Sequence, residues 1–493
     1  MNDTFHSNLH SDFHTKKLSQ LVDLLAVHKN NPHRYPFLLE SVANGGNNSD
    51  YSILFAFPQE KITLLRFNDL VTDGIELSAS QFIDGLNEWF KKEKTQVPDA
   101  IRQSLPFYGG WFVYLGYELA EEIEPVLHLP LDSDIDLPIA MASRIPAAII
   151  VDKKNGESWL IAEPSKKALL EKMDDDIRQS SLYQTDNNAG ENNANDNDNK
   201  ANNSPLKQKK LHEEDPARYI SAVKRIQEYI IEGDVFQVNV SRKWNIELED
   251  ACTPDIVYSQ LRKSNPAPFA GLMLVGDNAV ISSSPERLVS VKAGKVQTRP
   301  IAGTRPRLRD EQGNIDTKND AVLRKELIDH PKERAEHVML IDLERNDLGR
   351  ISKPGSIIVD ELMGLESYEH VHHIVSNVSG ELKNDILPGD VIKAVFPGGT
   401  ITGCPKIRCM EIIAELEGSP RQAYTGSMGY LNLDGDMDFN ILIRTIIQSG
   451  KQLHIRAGAG IVAYSNPEKE LQETRVKAKG MLKVITASVN IDQ

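Results

Sequence analysis

The chain has 493 residues, 40% of them hydrophobic and 26% charged, the proportions of a folded, water-soluble protein long enough for about three domains and a large core. Its 56 basic and 71 acidic side chains leave a formal charge of −15, which excludes a generic binder of nucleic acid or anionic membrane and means that an anionic ligand needs a local basic pocket. The three cysteines, Cys252, Cys404 and Cys409, form no CxxC pair, and the sequence shows neither a signal-peptide core nor an apolar run of membrane length, so a cytoplasmic protein without a disulfide framework is expected.

Residues 1–20 are polar, and His6, His10 and His14 have no Cys or carboxylate framework around them, so a frayed terminus is expected there, not a metal site. Apolar runs at 35–41 and 51–57 flank an Asn/Gly-rich turn and predict paired strands. Strand and turn are expected over 107–118, with Trp111 in the core, and 147–152 with 158–162 predict a hairpin. Between Asp186 and Asn203 almost every position is Asn, Asp, Ala, Lys, Gly or Glu and no apolar periodicity survives, so a disordered linker or loop over 184–211 separates an N-terminal region, 1–183, from a C-terminal region, 212–485. That division need not separate folding units, since an insertion in a surface loop costs little closure entropy.

After the linker, 216–233 reads as an amphipathic helix and 235–241 as a half-buried strand. A hairpin is expected over 272–275 and 279–283, and a helix over 326–348. Periodicity breaks at Pro397-Gly398-Gly399-Thr400 and returns as a helix over 406–417. Strands follow at 424–433, 440–447 and 453–455, then a helix over 468–479. This irregular alternation predicts a large α+β domain without solenoid repeats.

Glu470, Glu473 and Lys477 fall at i, i+3 and i+7 of the last helix and share one face, and Glu333 and Glu336 repeat the i, i+3 spacing. Two carboxylate pairs facing each other would suit Mg2+; each pair alone also fits a salt-bridged surface. Ser284-Pro285-Glu286-Arg287 sets Glu286 at a strand end, where it is either a general acid with a pKa raised by burial or an arginine-paired turn carboxylate. The run from Arg299 to Arg307 is an anion-facing loop or a basic solvated one, and His373 is a core residue or a base. The glycines and hydroxyls from Gly398 to Lys406 either expose backbone N–H groups to an anion just before a helix or make an ordinary Gly-rich turn. P-loop spacing is absent there, so a carboxylate is expected rather than a nucleotide phosphate. Ala457-Gly458-Ala459-Gly460-Ile461 offers a second backbone approach, with Arg444 and Lys477 as cationic partners. A dicarboxylate substrate with Mg2+ on one carboxylate suits the set.

Taken jointly, Ser284-Pro285-Glu286-Arg287, Pro300-Ile301-Ala302-Gly303-Thr304, Asp342-Leu343-Glu344-Arg345-Asn346-Asp347, Gly399 to Lys406, Ala457 to Ile461, and Glu473-Thr474 with Lys477 make residues 212–485 resemble the chorismate-utilising enzymes. These include the anthranilate synthase large subunit, aminodeoxychorismate synthase component I, isochorismate synthase and salicylate synthase. Residues 1–183 are more loosely similar to the family's N-terminal region. The resemblance implies a large α/β sandwich of two opposed antiparallel sheets flanked by helices, with the site in a cleft between them. It implies Mg2+ bound by Glu336 and Glu473 with Glu333 and Glu470 beside them. Tyr424, Arg444, Gly458, Ala459, Gly460 and Lys477 would bind the carboxylates of chorismate, Thr400 and His373 would face its ring, and Glu286 would protonate the departing 4-hydroxyl.

Water-adding members carry a lysine where this chain has Gln237, so the resemblance implies ammonia as the nucleophile. No glutaminase elbow surrounds any of the three cysteines, so that ammonia would come from a separate glutamine amidotransferase subunit. The blocks at 236–241, 267–269 and 396–403 resemble aminodeoxychorismate synthase. Ala302, where many such enzymes carry a nucleophilic lysine, is the anthranilate synthase choice. Leu38-Leu39-Glu40-Ser41 resembles that enzyme's tryptophan-inhibitor motif, which would make Leu39, Glu40 and Ser41 a tryptophan pocket, or else it is a core strand edge. The expectation is aminodeoxychorismate synthase component I, with anthranilate synthase component I as the alternative. The intact Glu286 and Glu473 speak against a non-catalytic regulatory relative.

Overall fold

Strands such as Ala147–Asp152 and Asn278–Ser284 are buried at every residue, the mark of strands covered on both faces. In the computed structural model, which describes residues 13–42, 51–131, 133–189, 206–308, 315–367 and 371–485, such strands build two antiparallel sheets. Among the described residues one sheet has 12 strands and the other 11. Each sheet is part N-terminal and part C-terminal. In the first, Phe37–Glu40 pairs with Phe269–Val275, with Leu38 opposite Leu272. In the second, Gly110–Leu115 pairs with Ser427–Asn432, with Phe112 opposite Tyr430. The regions on either side of 184–211 therefore share both sheets.

The sheets face each other across one core. Phe37 of the first sheet stacks on Phe112 of the second with ring centroids 4.2 Å apart, and Met273, Val280, Met428 and Leu442 fill in around them. The outer face of the first sheet is covered by helices Leu24–Asn30, Pro254–Ser264 and Pro467–Leu482, through Leu24, Val27, Val257, Leu261 and Met481. Helices Pro216–Glu232 and Lys406–Glu417 pack on strands Gln237–Leu248 and Gln452–Ile461 through Val223, Ile226, Met410, Ile413, Val238 and Ala459. Burial of apolar area on this scale is the main driving term for the fold.

Several elements differ from the sequence reading, each for a local reason. His14–Leu18 is an edge strand on Glu157–Ala162 rather than frayed chain, and the His14 Nε2 lies 2.7 Å from the Pro164 carbonyl oxygen; His6 and His10 lie outside the described residues. The helix expected over 326–348 is two helices, Thr317–Asp329 and Pro331–Ile351. Pro331 has no N–H to continue the first and is well placed to open the second. Helix Ala168–Ala189 runs into the expected linker, and residues 190–205 lie outside the described residues. The strand read over 440–447 is two strands in different sheets, Met437–Asn440 and Thr445–Ser449. The glycines at 458 and 460 belong to the strand Gln452–Ile461. In the arginine-rich run two arginines are engaged by carboxylates of the chain itself. The run contains strand Ile301–Pro306, Arg299 pairs with Glu361 at 2.7 Å and Glu366 at 2.6 Å, and Arg305 pairs with Glu333 at 3.4 Å.

Candidate active site

Two stretches of chain cross from sheet to sheet side by side. Pro285 and Glu286 link Asn278–Ser284 in the first sheet to Arg287–Lys292 in the second, while residues 441–444 return from Met437–Asn440 to Thr445–Ser449. The Ile441 N–H donates to the Glu286 carbonyl at 3.0 Å, and the Ser284 hydroxyl donates to the Ile441 carbonyl. Arg444 completes the return at φ 53°, a left-handed conformation that is uncommon for a residue with a β-carbon and is held by its surroundings.

Burial pushes the Glu286 carboxyl up to about 7, against the opposing pull of the Thr400 hydroxyl and the Arg444 and Lys477 cations. The Thr400 hydroxyl is buried and close enough for that pull without making a well-aligned hydrogen bond. Burial pushes the Arg444 guanidinium down from its ordinary value, and Glu286 opposes the shift. His373, on Val371–Glu381, has its Nδ1 3.4 Å from the Gly303 carbonyl. Burial, with Arg444 adding to it, lowers His373 to about 4, so the ring is neutral at pH 7.

The other wall of the site is backbone. Gly458, Ala459 and Gly460 pair with Ser241, Val240 and Asn239. A β-carbon on Gly458 would lie 2.6 Å from the Val240 carbonyl oxygen, 2.9 Å from the Tyr424 hydroxyl and 3.0 Å from Asn239 Oδ1; one on Gly460 would lie 2.5 Å from Gln237 Nε2. The two glycines thus let Tyr424, Asn239 and Gln237 settle directly on the strand. The Gly458 carbonyl accepts from Lys477 Nζ at 3.0 Å. Gln237 Nε2 donates to Glu336 at 3.3 Å, while Gln237 Oε1 is buried with no donor. Burial raises Tyr424 to about 12, which keeps its hydroxyl a donor. The loop from Gly398 closes against strand Gln237–Leu248 at Gly403, where φ is +132° and a β-carbon would overlap the Gln237 carbonyl oxygen at 2.0 Å.

The four glutamates expected at a metal take different places. Glu336 meets Gln237, and Glu473 pairs with Lys477 at 2.8 Å. Glu333 is paired with Arg305, and Glu470 is buried near Tyr219. Among the described residues no group of three His, Cys, Asp or Glu side chains is arranged to hold a metal ion. The donor chemistry nevertheless fits a hard cation. Glu336 accepts from Gln237, whose amide lies against Gly460, and Glu473 is linked through Lys477 to the Gly458 carbonyl, so two hard carboxylate donors stand by the same stretch of strand. Mg2+ commonly takes only one or two carboxylates, completing its shell with water and substrate.

Leu39, Glu40 and Ser41 lie elsewhere, in a cavity of about 370 Å³ lined also by Tyr108, Phe269 and Met428. The Glu40 carboxylate accepts from the Tyr258 hydroxyl at 2.7 Å and from Arg262 at 3.2 Å, and the Ser41 hydroxyl is buried without a partner.

Three features escaped the sequence reading. Asn239 stands two residues after Gln237 and shares its face of the strand. Glu344 is buried with its carboxyl 3.6 Å from where a β-carbon on Gly399 would be. Burial pushes it up to about 8, Asp347 and Glu286 add to the rise, and Lys406 opposes it. Behind the site, buried Glu417 pairs with Arg421 at 2.6 Å and with Arg456, and accepts from the Ser241 N–H at 2.8 Å. Arg421 in turn donates to the Asn239 carbonyl at 2.8 Å, which fixes the strand under the site. Asn239 and Glu344 each carried a signal, as parts of the 236–241 and 342–347 blocks; the Glu417 group carried none.

Residues 51–483 match the profile of the chorismate binding enzyme family. Over 475 residues the chain is 38% identical to aminodeoxychorismate synthase component 1 of Bacillus subtilis (strain 168), covering 92% of each sequence. Over 466 residues it is 36% identical to anthranilate synthase component 1 of Acetivibrio thermocellus, covering 91% of this chain and 90% of that one. The crystal structure of anthranilate synthase component I from Streptococcus pneumoniae TIGR4 matches with a TM-score of 0.73 at 31% identity, over 88% of this chain and 93% of that chain. The two-sheet sandwich expected from the sequence is the fold observed. Matched by the profile over most of its length and by relatives nearly end to end, the chain belongs to the chorismate binding enzyme family.

Proposed function

We propose that this enzyme is aminodeoxychorismate synthase component I, which replaces the 4-hydroxyl of chorismate with an amino group for 4-aminobenzoate and folate synthesis. As a member of its family it acts on chorismate. The reading rests on Glu286, a buried carboxyl held near pKa 7 beside Thr400 and within the field of Arg444 and Lys477. Such an acid is protonated often enough at neutral pH to give its proton to a departing hydroxyl, and the two cations suit a dicarboxylate. Ammonia bonds to the ring carbon, the hydroxyl leaves as water with the Glu286 proton, and the resulting ammonium returns a proton to the Glu286 carboxylate.

The remaining residues bind and orient. Arg444, Lys477, Tyr424 and the Gly458–Gly460 backbone would hold the carboxylates; Thr400 and neutral His373 would face the ring. Glu336 and Glu473 would hold Mg2+, with Glu333 and Glu470 beside them; bound there, Mg2+ would neutralise a substrate carboxylate and fix its orientation. Gln237 is an amide and takes no proton from water, so the nucleophile must arrive already basic, which favours ammonia. With no glutaminase elbow in the chain, ammonia would come from a separate glutamine amidotransferase subunit, in keeping with relatives named as component 1 of their synthases. The blocks at 236–241, 267–269 and 396–403 support the aminodeoxychorismate product.

A second reading, anthranilate synthase component I, is favoured by Ala302, a buried methyl on Ile301–Pro306 that forms no covalent adduct, and by the cavity at Leu39, Glu40 and Ser41, where tryptophan would bind. The deciding experiment is a product assay with chorismate, Mg2+ and ammonium salt, with and without an added aminodeoxychorismate lyase. A product that becomes 4-aminobenzoate only with the lyase supports the first reading. Anthranilate and pyruvate formed without the lyase overturn it in favour of the second. Absence of chorismate turnover by folded protein overturns both.

A further inference from the structure

Two amide oxygens in the site have no donor. Gln237 Oε1 and Asn239 Oδ1 are both buried, and neither meets an N–H or O–H group. The two residues are two apart on Gln237–Leu248, so their side chains leave the same face with α-carbons about 7 Å apart. The orientation of each amide is set by its other end. Asn239 Nδ2 faces the Thr400 carbonyl at 3.5 Å, and turning the amide over would set oxygen against oxygen. Asn239 Oδ1 is thereby turned away from Thr400, and it stands 3.0 Å from where a β-carbon on Gly458 would lie. Gln237 Nε2 is held by the Glu336 carboxylate, which leaves Gln237 Oε1 as the free end.

A buried acceptor without a donor is costly and rare, and in an active site it marks where a ligand brings the missing hydrogen. Carboxylate oxygens are acceptors only and cannot supply it; of the donors the proposed reaction brings, the 4-hydroxyl of chorismate has one hydrogen and ammonia three. Ammonia is complementary: three N–H donors and a single lone pair. Acceptors that engage its hydrogens leave that lone pair free and directed. We propose that Asn239 is a nucleophile-binding residue of this enzyme, its Oδ1 accepting an N–H of ammonia. The inference rests on the ammonia-using reading above and holds for either product. It assigns Asn239 a role in binding the nucleophile rather than chorismate.

The test is steady-state kinetics of the full chain with Mg2+, varying ammonium chloride at saturating chorismate and then chorismate at saturating ammonium chloride. Asn239→Leu keeps the volume and removes the acceptor; Asn239→Asp keeps an acceptor. The expected result is a KM for ammonia at least tenfold higher in Asn239→Leu, with the KM for chorismate within twofold of the parent, and an ammonia KM within threefold of the parent in Asn239→Asp. An unchanged ammonia KM in Asn239→Leu, or a rise in the chorismate KM instead, overturns the proposal while leaving the ammonia-using reading intact. A parent enzyme without ammonium-dependent turnover overturns both. If Asn239→Leu does not melt cooperatively, Asn239→Ala, which only removes atoms, decides by the same two constants.

Discussion

Glu286 and Arg444 stand on two adjacent crossings between the sheets, tied together by the 3.0 Å bond from the Ile441 N–H to the Glu286 carbonyl. The acid and the cation nearest its chemistry are therefore spaced by backbone that belongs to both sheets. A loop would leave that spacing free to vary; here, changing it requires the sheets themselves to shift. This is the kind of rigid support that keeps a catalytic constellation within a fraction of an ångström of its working geometry.

The first consequence is a pH profile. In the proposed reaction Glu286 acts in its protonated form, and burial pushes its pKa up to about 7. Activity is expected to be full below that value and to fall as pH rises through it. Glu286→Gln should lower kcat by about 10²- to 10⁴-fold and remove this limb. The Thr400 hydroxyl favours the ionised form, so Thr400→Val should move the limb to higher pH. Measuring kcat/KM from about pH 6 to 9 checks both; a limb that stays in place in Thr400→Val would separate Thr400 from the acid.

The glycines of the last strand make a second test. A β-carbon at 460 meets Gln237 Nε2 at 2.5 Å, so Gly460→Ala must push the Gln237 amide off its contact with Glu336. Turnover should fall by roughly 10²-fold, the cost of misplacing a reacting group by about 1 Å. Strand pairing with Asn239 is retained, so the melting temperature should change little. A large drop in melting temperature with proportionate loss of activity would mean that the glycine serves packing alone.

The proposed Mg2+ site is tested glutamate by glutamate. Glu336→Gln and Glu473→Gln should each raise the Mg2+ concentration needed for half-maximal activity by roughly tenfold or more, as loss of a ligand or of its orienting partner does. Glu333 is engaged by Arg305, so Glu333→Gln should have the smaller effect on the metal. Mg2+ titration of each variant by activity and by calorimetry distinguishes them; equal responses from all three would point to general electrostatics rather than ligation.

Local pattern reached part of this site and stopped for definable reasons. Glu286 was legible because Ser284-Pro285 ends a strand in the sequence itself. The place of Arg444 was not, because Ile441, Leu442 and Ile443 carry the same apolar run whether the chain continues a strand or crosses between sheets. Helical spacing correctly put Glu333 and Glu336 on one helix, but it holds no information about Arg305, which engages one of them from a strand. Alternation showed that residues 237 and 239 share a face without showing that the face lines a cleft. The seams of the sheets, Leu38 on Leu272 and Phe112 on Tyr430, join residues more than two hundred positions apart, a register no local signal encodes.

The buried Glu417 group gives a stability prediction with a definite pH window. Burial alone would raise its carboxyl, but Arg421 and Arg456 reverse that and hold it at about 2, below its ordinary 4.5. A carboxyl whose pKa is depressed by folding contributes stability above its unfolded value and loses it as pH falls toward the folded one. The contribution is therefore complete at neutral pH and disappears between 4.5 and about 2. Glu417→Gln leaves Arg421 and Arg456 buried without their counter-charge, at a cost of about 3–5 kcal/mol. Urea denaturation at neutral pH should show that loss, and the Gln variant should show a shallower decline of stability across the acid window than the parent. An equal decline in both would assign acid sensitivity to other groups, with His337 and His373, each lowered to about 4 chiefly by burial, the first to examine. Their neutral forms favour the fold, so they withdraw stability as pH drops from about 6.5 towards 4.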